Sequence, residues 1–276
     1  MRSGRRLRRA ALTGGGILVG LAFVAPYAIM LLDALKPAAE LRASPPRLLP
    51  RVWRPENFVD VVADPAFRSA VRVSVTVALA STVLAVVAAI PAAYHTARRR
   101  FRGRSAFLFL VLVTQMFSPT TLVVGLYREF FALGLVNTSA ALILTNAAFN
   151  LAFAVWILRA FFASIPRELE EAAEVDGCSR LGALLRVVLP LARPAIVTAA
   201  IFAFIAAWNE YIVALTLMTD ADMKPLTVAL TSYVTAYVQH WNLLFAASIL
   251  AIVPVIILFA VIEPYLVSGL TAGSVK

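Results

Sequence analysis

The sequence predicts an all-α integral membrane protein with six transmembrane helices, and three observations carry that expectation. The 276-residue chain is 61% hydrophobic and 14% charged, with a mean hydropathy of +0.86, a balance far from that of a soluble globular domain. Its apolar residues fall in runs of about 20, the length that crosses roughly 30 Å of hydrocarbon. Its Lys and Arg residues, which give a net charge of +10, stand in short blocks beside those runs. Placed there, they mark topology and meet anionic lipid headgroups, which argues against a nucleic-acid partner.

The whole chain, 1–276, reads as one transmembrane domain with spans at about 12–33, 72–96, 105–127, 138–158, 194–218 and 243–262. Arg2, Arg5, Arg6, Arg8 and Arg9 precede the first, an uncharged run from Ala10 to Leu32. A cleaved signal peptide shares that pattern, but this run is too long and ends in no small-x-small cleavage site. A polar segment from Lys36 to Arg68 follows, interrupted by Pro37, Pro45, Pro46, Pro50, Pro55 and Pro65. It reads as a loop outside the membrane. Between the second and third spans, Arg98, Arg99, Arg100, Arg102 and Arg104 form a tight basic connection.

Between the fourth and fifth spans lies the long polar insert of the second half, Pro166 to Pro190. Glu168, Glu170 and Glu171 follow Pro166, the acidic and proline-led start that the partial positive charge of a helix N-terminus favours. Leu169, Ala172 and Ala173 are expected on one face, small enough for a partner to approach the backbone. Gly177 breaks or caps the helix. A second periodic run then places Leu181, Leu184, Leu185, Val188 and Leu189 on one arc and Arg180 and Arg186 on the other, until Pro190 stops it. The expectation is a short docking helix, a turn, and an interfacial helix returning to the membrane.

Glu171-Ala172-Ala173, Asp176-Gly177 and Leu189-Pro190, at their spacings, resemble the EAA loop of ABC importer permeases. The resemblance covers most of the chain. The surrounding Ile165 to Ala173, Leu189 to Pro194, and Trp208-Asn209-Glu210-Tyr211 look like the carbohydrate-importing branch, and Leu133 to Thr138 is similar to the family's outer connection. The ending from Tyr265 to Lys276 resembles the tail of the second permease subunit of maltose-type importers. Cys178 departs from the alanine usual after Asp-Gly, a small-for-small change.

The resemblance implies a type I ABC importer permease (MetI-like) fold in a bacterial plasma membrane, with residues 166–190 as the cytoplasmic coupling loop. It implies a sugar or oligosaccharide substrate and three kinds of partner: an ATPase dimer, a second and different permease subunit, and an extracytoplasmic solute-binding protein. Glu171, Ala172, Ala173, Asp176, Gly177, Leu189 and Pro190 would be the coupling residues, with Glu171 pairing a basic residue of the ATPase. The chain has no Gly-x-x-x-x-Gly-Lys-Ser/Thr phosphate loop, so ATP and Mg are expected on the ATPase and no cofactor on this chain.

Orientation follows from the positive charges. The N-terminal block, the basic connection and the insert, with Arg167, Arg180, Arg186 and Arg193, fall on one side of the membrane. The connections 127–137 and 219–242 offer only Arg128 and Lys224. Six positive charges in the Lys36 to Arg68 loop break the pattern, although the rule weakens with loop length. The sum puts both termini, and Glu171, in the cytoplasm.

Intramembrane polar groups are the remaining candidates. Glu210 follows sixteen residues without a formal charge, so it is expected roughly 24 Å along the fifth helix. A charge at that depth points either to the substrate pathway or to helix packing, and the sequence leaves both open. Gln115, Ser118, Asn146 and Asn150 stand under the same two readings. Trp208, Tyr211, Tyr233, Tyr237 and Trp241 lie near the outer side and suit either sugar stacking or interfacial anchoring, and Trp208, Asn209 and Tyr211 join the candidates for the pathway. His95 and His240 have no companion ligand at metal spacing, and no nucleophile stands with a base. The expectation is therefore a transport subunit with no catalytic or metal site. The alternatives are a permease for another small solute, an intramembrane enzyme, or a purely structural membrane subunit.

Overall fold

The computed structural model describes residues 2–235, 237 and 239–272, with side chains for 12–235, 237 and 239–262. The segment with the tail resemblance is helical to Ala272, and 273–276 lie outside the described residues. The main helices are α1 (Arg2–Ala34), α2 (Glu56–Ala63), α3 (Pro65–Arg98), α4 (Arg104–Thr114), α5 (Pro119–Ala132) and α6 (Ser139–Ser164). They continue as α7 (Glu168–Val175), α8 (Arg180–Leu191), α9 (Arg193–Trp208), α10 (Ile212–Leu217) and α11 (Trp241–Ala272).

Four helices, α1 from Leu12 onward, α3, α6 and α11, are long and apolar enough to cross a membrane singly. The pairs α4–α5 and α8–α9 also pass that test, bent by 95° and 75°. The first bend falls inside the third span expected over 105–127. Ser118 and Pro119 explain the first: the Ser118 hydroxyl accepts from the Thr120 amide at 3.3 Å, starting a new helix in which Pro119 has no N–H to give. The helix over the second expected span begins earlier, at Pro65, because the Asp64 carboxylate accepts from the Ala66 amide at 2.9 Å. Its 34 residues measure roughly 51 Å, longer than the hydrocarbon alone requires.

The chain divides into two compact units. In the unit of residues 1–67 and 230–253, Asn57 is fully buried and makes three hydrogen bonds. Its amide donates to the carbonyls of Ala34 (2.7 Å) and Lys36 (2.9 Å), and its oxygen accepts from Asn242 (2.8 Å). Nearby, buried Lys36 pairs with Asp33 at 2.7 Å. Such satisfied groups fix one arrangement of the end of α1, the start of α2 and the start of α11. Tyr233 donates to Asp64 at 3.3 Å, and burial first, then the Asp64 carboxylate, push its phenol up to about 12.

In the unit of residues 68–229 and 254–276, α9 packs along α6. Ala152, Ala154, Val155, Leu158 and Phe162 of α6 meet Ala195 and Ala199 of α9, Ala89 and Ala93 of α3, and Leu184 and Val188 of α8. The many alanines let helix backbones approach closely, the packing that holds helices together where no water is displaced. A second cluster joins Val77, Phe130 and Leu142 to Val213, Ala214 and Leu217 of α10.

Candidate functional site

The insert folds as a helix, a tight turn and a second helix. α7 ends in a paired closure: the Gly177 amide donates to the Glu174 carbonyl at 3.1 Å and the Cys178 amide to the Ala173 carbonyl at 2.9 Å. This closure needs a left-handed residue after the helix, and Gly177 has φ +88°. Ser179 then caps α8 by accepting from the Gly182 amide at 3.1 Å. Open space surrounds the position of a Gly177 side chain, so Gly177→Ala costs only the left-handed strain, roughly 1 kcal/mol. Amide exchange at Cys178 is expected to quicken about fivefold in that variant, measured by mass spectrometry. An unchanged rate would contradict the closure.

The expected face of α7 is only partly displayed. Ala173 turns inward and is buried, whereas Ala172, Glu171 and Val175 are exposed, Val175 at 86%. Leu169 is also outward, so the arc that Leu169, Ala172 and Ala173 share as i, i+3 and i+4 neighbours straddles the edge between the displayed and the buried side. The reason is that α7 rests on the first turns of α8 and on Leu184–Val188, which takes up the Ala173 side.

Pro190 does not stop α8. The helix widens to a π turn over Leu184–Val188, the Leu189 amide reaching back to the Leu184 carbonyl, and continues to Leu191. The wider turn accommodates the ring of Pro190, which would collide with a carbonyl in a regular helix and has no N–H to offer. The change of direction comes at Ala192, fully buried, whose amide still donates to the Val188 carbonyl at 2.8 Å.

Among the three glutamates of the first turn, Glu170 is the one held inside. Its carboxylate forms an ion pair with Arg98, the last residue of α3, and accepts from the Tyr94 hydroxyl at 2.6 Å. The sequence reading missed this, and the only available signal was that three acids on a helix turn cannot all face the same way. Glu171, one residue on, points outward and is free for a partner.

The structure scatters the intramembrane candidates. Asn146 and Asn150 donate to the carbonyls four residues earlier, Leu142 (2.9 Å) and Asn146 (2.8 Å). Trp208 is buried and stacked on Phe204. Asn209 donates to Ile205 at 2.9 Å, and exposed Gln115 to Phe149 at 3.3 Å. Tyr211 is half-buried at the start of α10. The Glu210 carboxylate accepts from the amides of Val213 (2.7 Å) and Ala214 (3.0 Å), capping α10 where the expected fifth span is interrupted. Glu210 and Asn146 do border one cavity of about 10 Å³, with Ser74, Val77, Leu142 and Ala207. That volume holds about one water. Ser74, a site residue the sequence reading passed over, accepts from the Leu226 amide at 2.7 Å.

The described residues thus show helices apolar enough to cross a membrane and, between two of these apolar segments, a short helix anchored on one side and displayed on the other. The family model described as "Binding-protein-dependent transport system inner membrane component" matches residues 67–271, and the chain belongs to that family. It is a permease subunit of an ABC importer with the MetI-like fold, and not an enzyme. It is 37% identical to the sulfoquinovosyl glycerol transport system permease protein SmoH of Agrobacterium fabrum, covering 91% of this chain and 88% of that protein. It is 35% identical to the trehalose/maltose transport system permease protein MalG of Thermococcus litoralis, covering 98% of each. Its fold is similar to a chain of a bacterial ABC transporter involved in the import of the acidic polysaccharide alginate, with a TM-score of 0.82, 25% identity, and 96% and 98% of the two chains covered.

Proposed function

We propose that this chain carries a sugar or oligosaccharide across the bacterial plasma membrane, and that α7 is the helix through which a separate ATPase dimer drives it. The observation that carries the reading is the division of α7 into an anchored side, Glu170 and Ala173, and a displayed side, Glu171, Ala172 and Val175. A loose tether would absorb displacement, whereas a short helix held by a closed turn transmits it. The sugar assignment is supported by the relatives, whose names specify a sulfoquinovosyl glycerol and trehalose or maltose.

In this reading Glu171 meets a basic residue of the ATPase, Asp176 and Gly177 shape the turn, and Leu189 and Pro190 carry the helix back toward α9. ATP and Mg belong to the ATPase, both termini and the loop face the cytoplasm, and a second, different permease completes the pathway. An extracytoplasmic solute-binding protein delivers the sugar. Gln115, Ser118 and Asn209 are the pathway groups best supported, because they are exposed where spans are broken, whereas Asn146 is buried and Asn150 and Glu210 are half-buried.

The test is to tag the chain, extract it from its native membrane in mild detergent, and identify what co-purifies. An ATPase and a second permease are expected together, and the companion binding protein is expected to bind a sugar. Recovery of the permease without any ATPase across several detergents would contradict the proposal.

A further inference from the structure

We propose that Tyr94, Arg98 and Glu170 form the positioning link that makes α7 and α3 move as one body, so that displacement of α7 reaches the transmembrane helices directly as well as through α8. The proposal rests on α7 being the ATPase-docking helix and adds how its motion is carried. Three observations support it. Arg98 and Glu170 are paired with side chains only 9% and 12% exposed, so the ion pair is shielded from water. Tyr94, one turn before Arg98 on α3, donates to the other Glu170 oxygen at 2.6 Å, and its ring meets Phe162 of α6 edge-on at 6.0 Å between centroids. Two reciprocal bonds brace the pair: Arg98 donates to the Ile165 carbonyl at 2.9 Å and Arg167 to the Arg98 carbonyl at 3.0 Å.

The physical consequence is directional stiffness. A surface ion pair swings with its long side chains and transmits little. A shielded pair, held at both ends by further hydrogen bonds, has one geometry and strands a buried charge when it separates. Pulling α7 away from α3 therefore breaks several bonds at once, and moving the two together breaks none. A cavity of about 260 Å³ opens at the link, bordered by Tyr94, Arg98 and Glu170 themselves and by Arg167, Glu171 and Arg180. The displayed and anchored glutamates thus border the same recess, so a load on Glu171 falls beside the link.

The experiment uses the complex purified with its ATPase, in a Cys178→Ala background carrying a nitroxide on Val175→Cys. Arg98→Gln and Glu170→Gln are expected to retain the ATPase but to lower sugar uptake per ATP hydrolysed about tenfold, and to turn an ordered nitroxide spectrum mobile. Tyr94→Phe, which removes one hydroxyl and keeps the ring, is expected to lower the same ratio about threefold. Exchanging the charges, Arg98→Glu with Glu170→Arg, is expected to restore part of the ratio, which a packing role would not allow. ATPase retained with uptake ratio and nitroxide unchanged in both glutamine variants would overturn the link while leaving docking intact. Absence of ATPase from the native complex would instead overturn docking, and the proposal with it.

Discussion

Glu171→Lys is expected to cut ATP-dependent sugar uptake about 100-fold while leaving the permease folded. The Glu171 side chain is exposed and takes part in no hydrogen bond or ion pair among the described residues, so reversing its charge costs the fold only its interaction with the helix N-terminus, about 0.3–1 kcal/mol. At an interface the same change sets a lysine against a basic residue. Breaking a desolvated charge pair costs about 2–5 kcal/mol, and 2.7 kcal/mol is about 100-fold in affinity. Uptake in membrane vesicles, alongside the detergent melting temperature, separates the two effects. Equal loss of uptake and of melting temperature would show that Glu171 serves the fold and not the partner. Charge reversal at Glu170 differs in kind, since that residue is buried on Arg98.

Glu210→Ala has the second large expected effect, and it falls on stability. The carboxylate accepts from Val213 and Ala214, residues 0% and 1% exposed, so its loss leaves two buried amides without their acceptor. Two orphaned amides cost about 1–3 kcal/mol each, and a drop of several degrees in the melting temperature follows. Glu210→Gln keeps an acceptor oxygen and is expected to lose about half as much stability, with uptake retained within about threefold at low temperature. Uptake abolished in a Glu210→Gln protein of near-native stability would return the residue to the substrate pathway. The sequence left that choice open because an acid within an apolar run has the same appearance as a ligand or as a cap.

The legible parts of the fold were those written in long-range pattern. Runs without charge at Val73 to Ala97 and Thr138 to Leu158 lie within α3 and largely within α6, and Pro166, Gly177 and the periodic run from Leu181 announced a helix, a closure and a restart. Breaks inside apolar runs were hidden, because hydropathy continues through Gln115 to Ser118 and through Asn209 to Tyr211 while hydrogen bonding does not. Ser118 and Glu210 were visible as polar residues, but their role as helix caps depends on backbone direction, which composition does not encode. The passage of α8 through Pro190 was likewise illegible: the ring forbids a regular turn, yet a π turn of five residues relieves it.

At the candidate site the sequence identified the right segment and could not orient it. Glu168, Glu170 and Glu171 are chemically alike, and only Arg98 and Tyr94, more than seventy residues earlier in the chain, decide that Glu170 is the anchor. Ala173 is similarly drawn inward by α8, which leaves Ala172 and Val175 to face a partner. Tertiary contacts that pick one among equivalent side chains carry no local signature.

Site-specific photo-crosslinking tests the central claim most directly. A benzophenone side chain is placed in turn at Val175, which is 86% exposed on α7, and at Tyr237, which is 98% exposed in the connection before α11. Irradiation of native membranes is expected to join position 175, and not position 237, to the ATPase, and to do so less in the Glu171→Lys background. No ATPase adduct from position 175, or equal adducts from both positions, would contradict α7 as the helix through which ATP drives this permease.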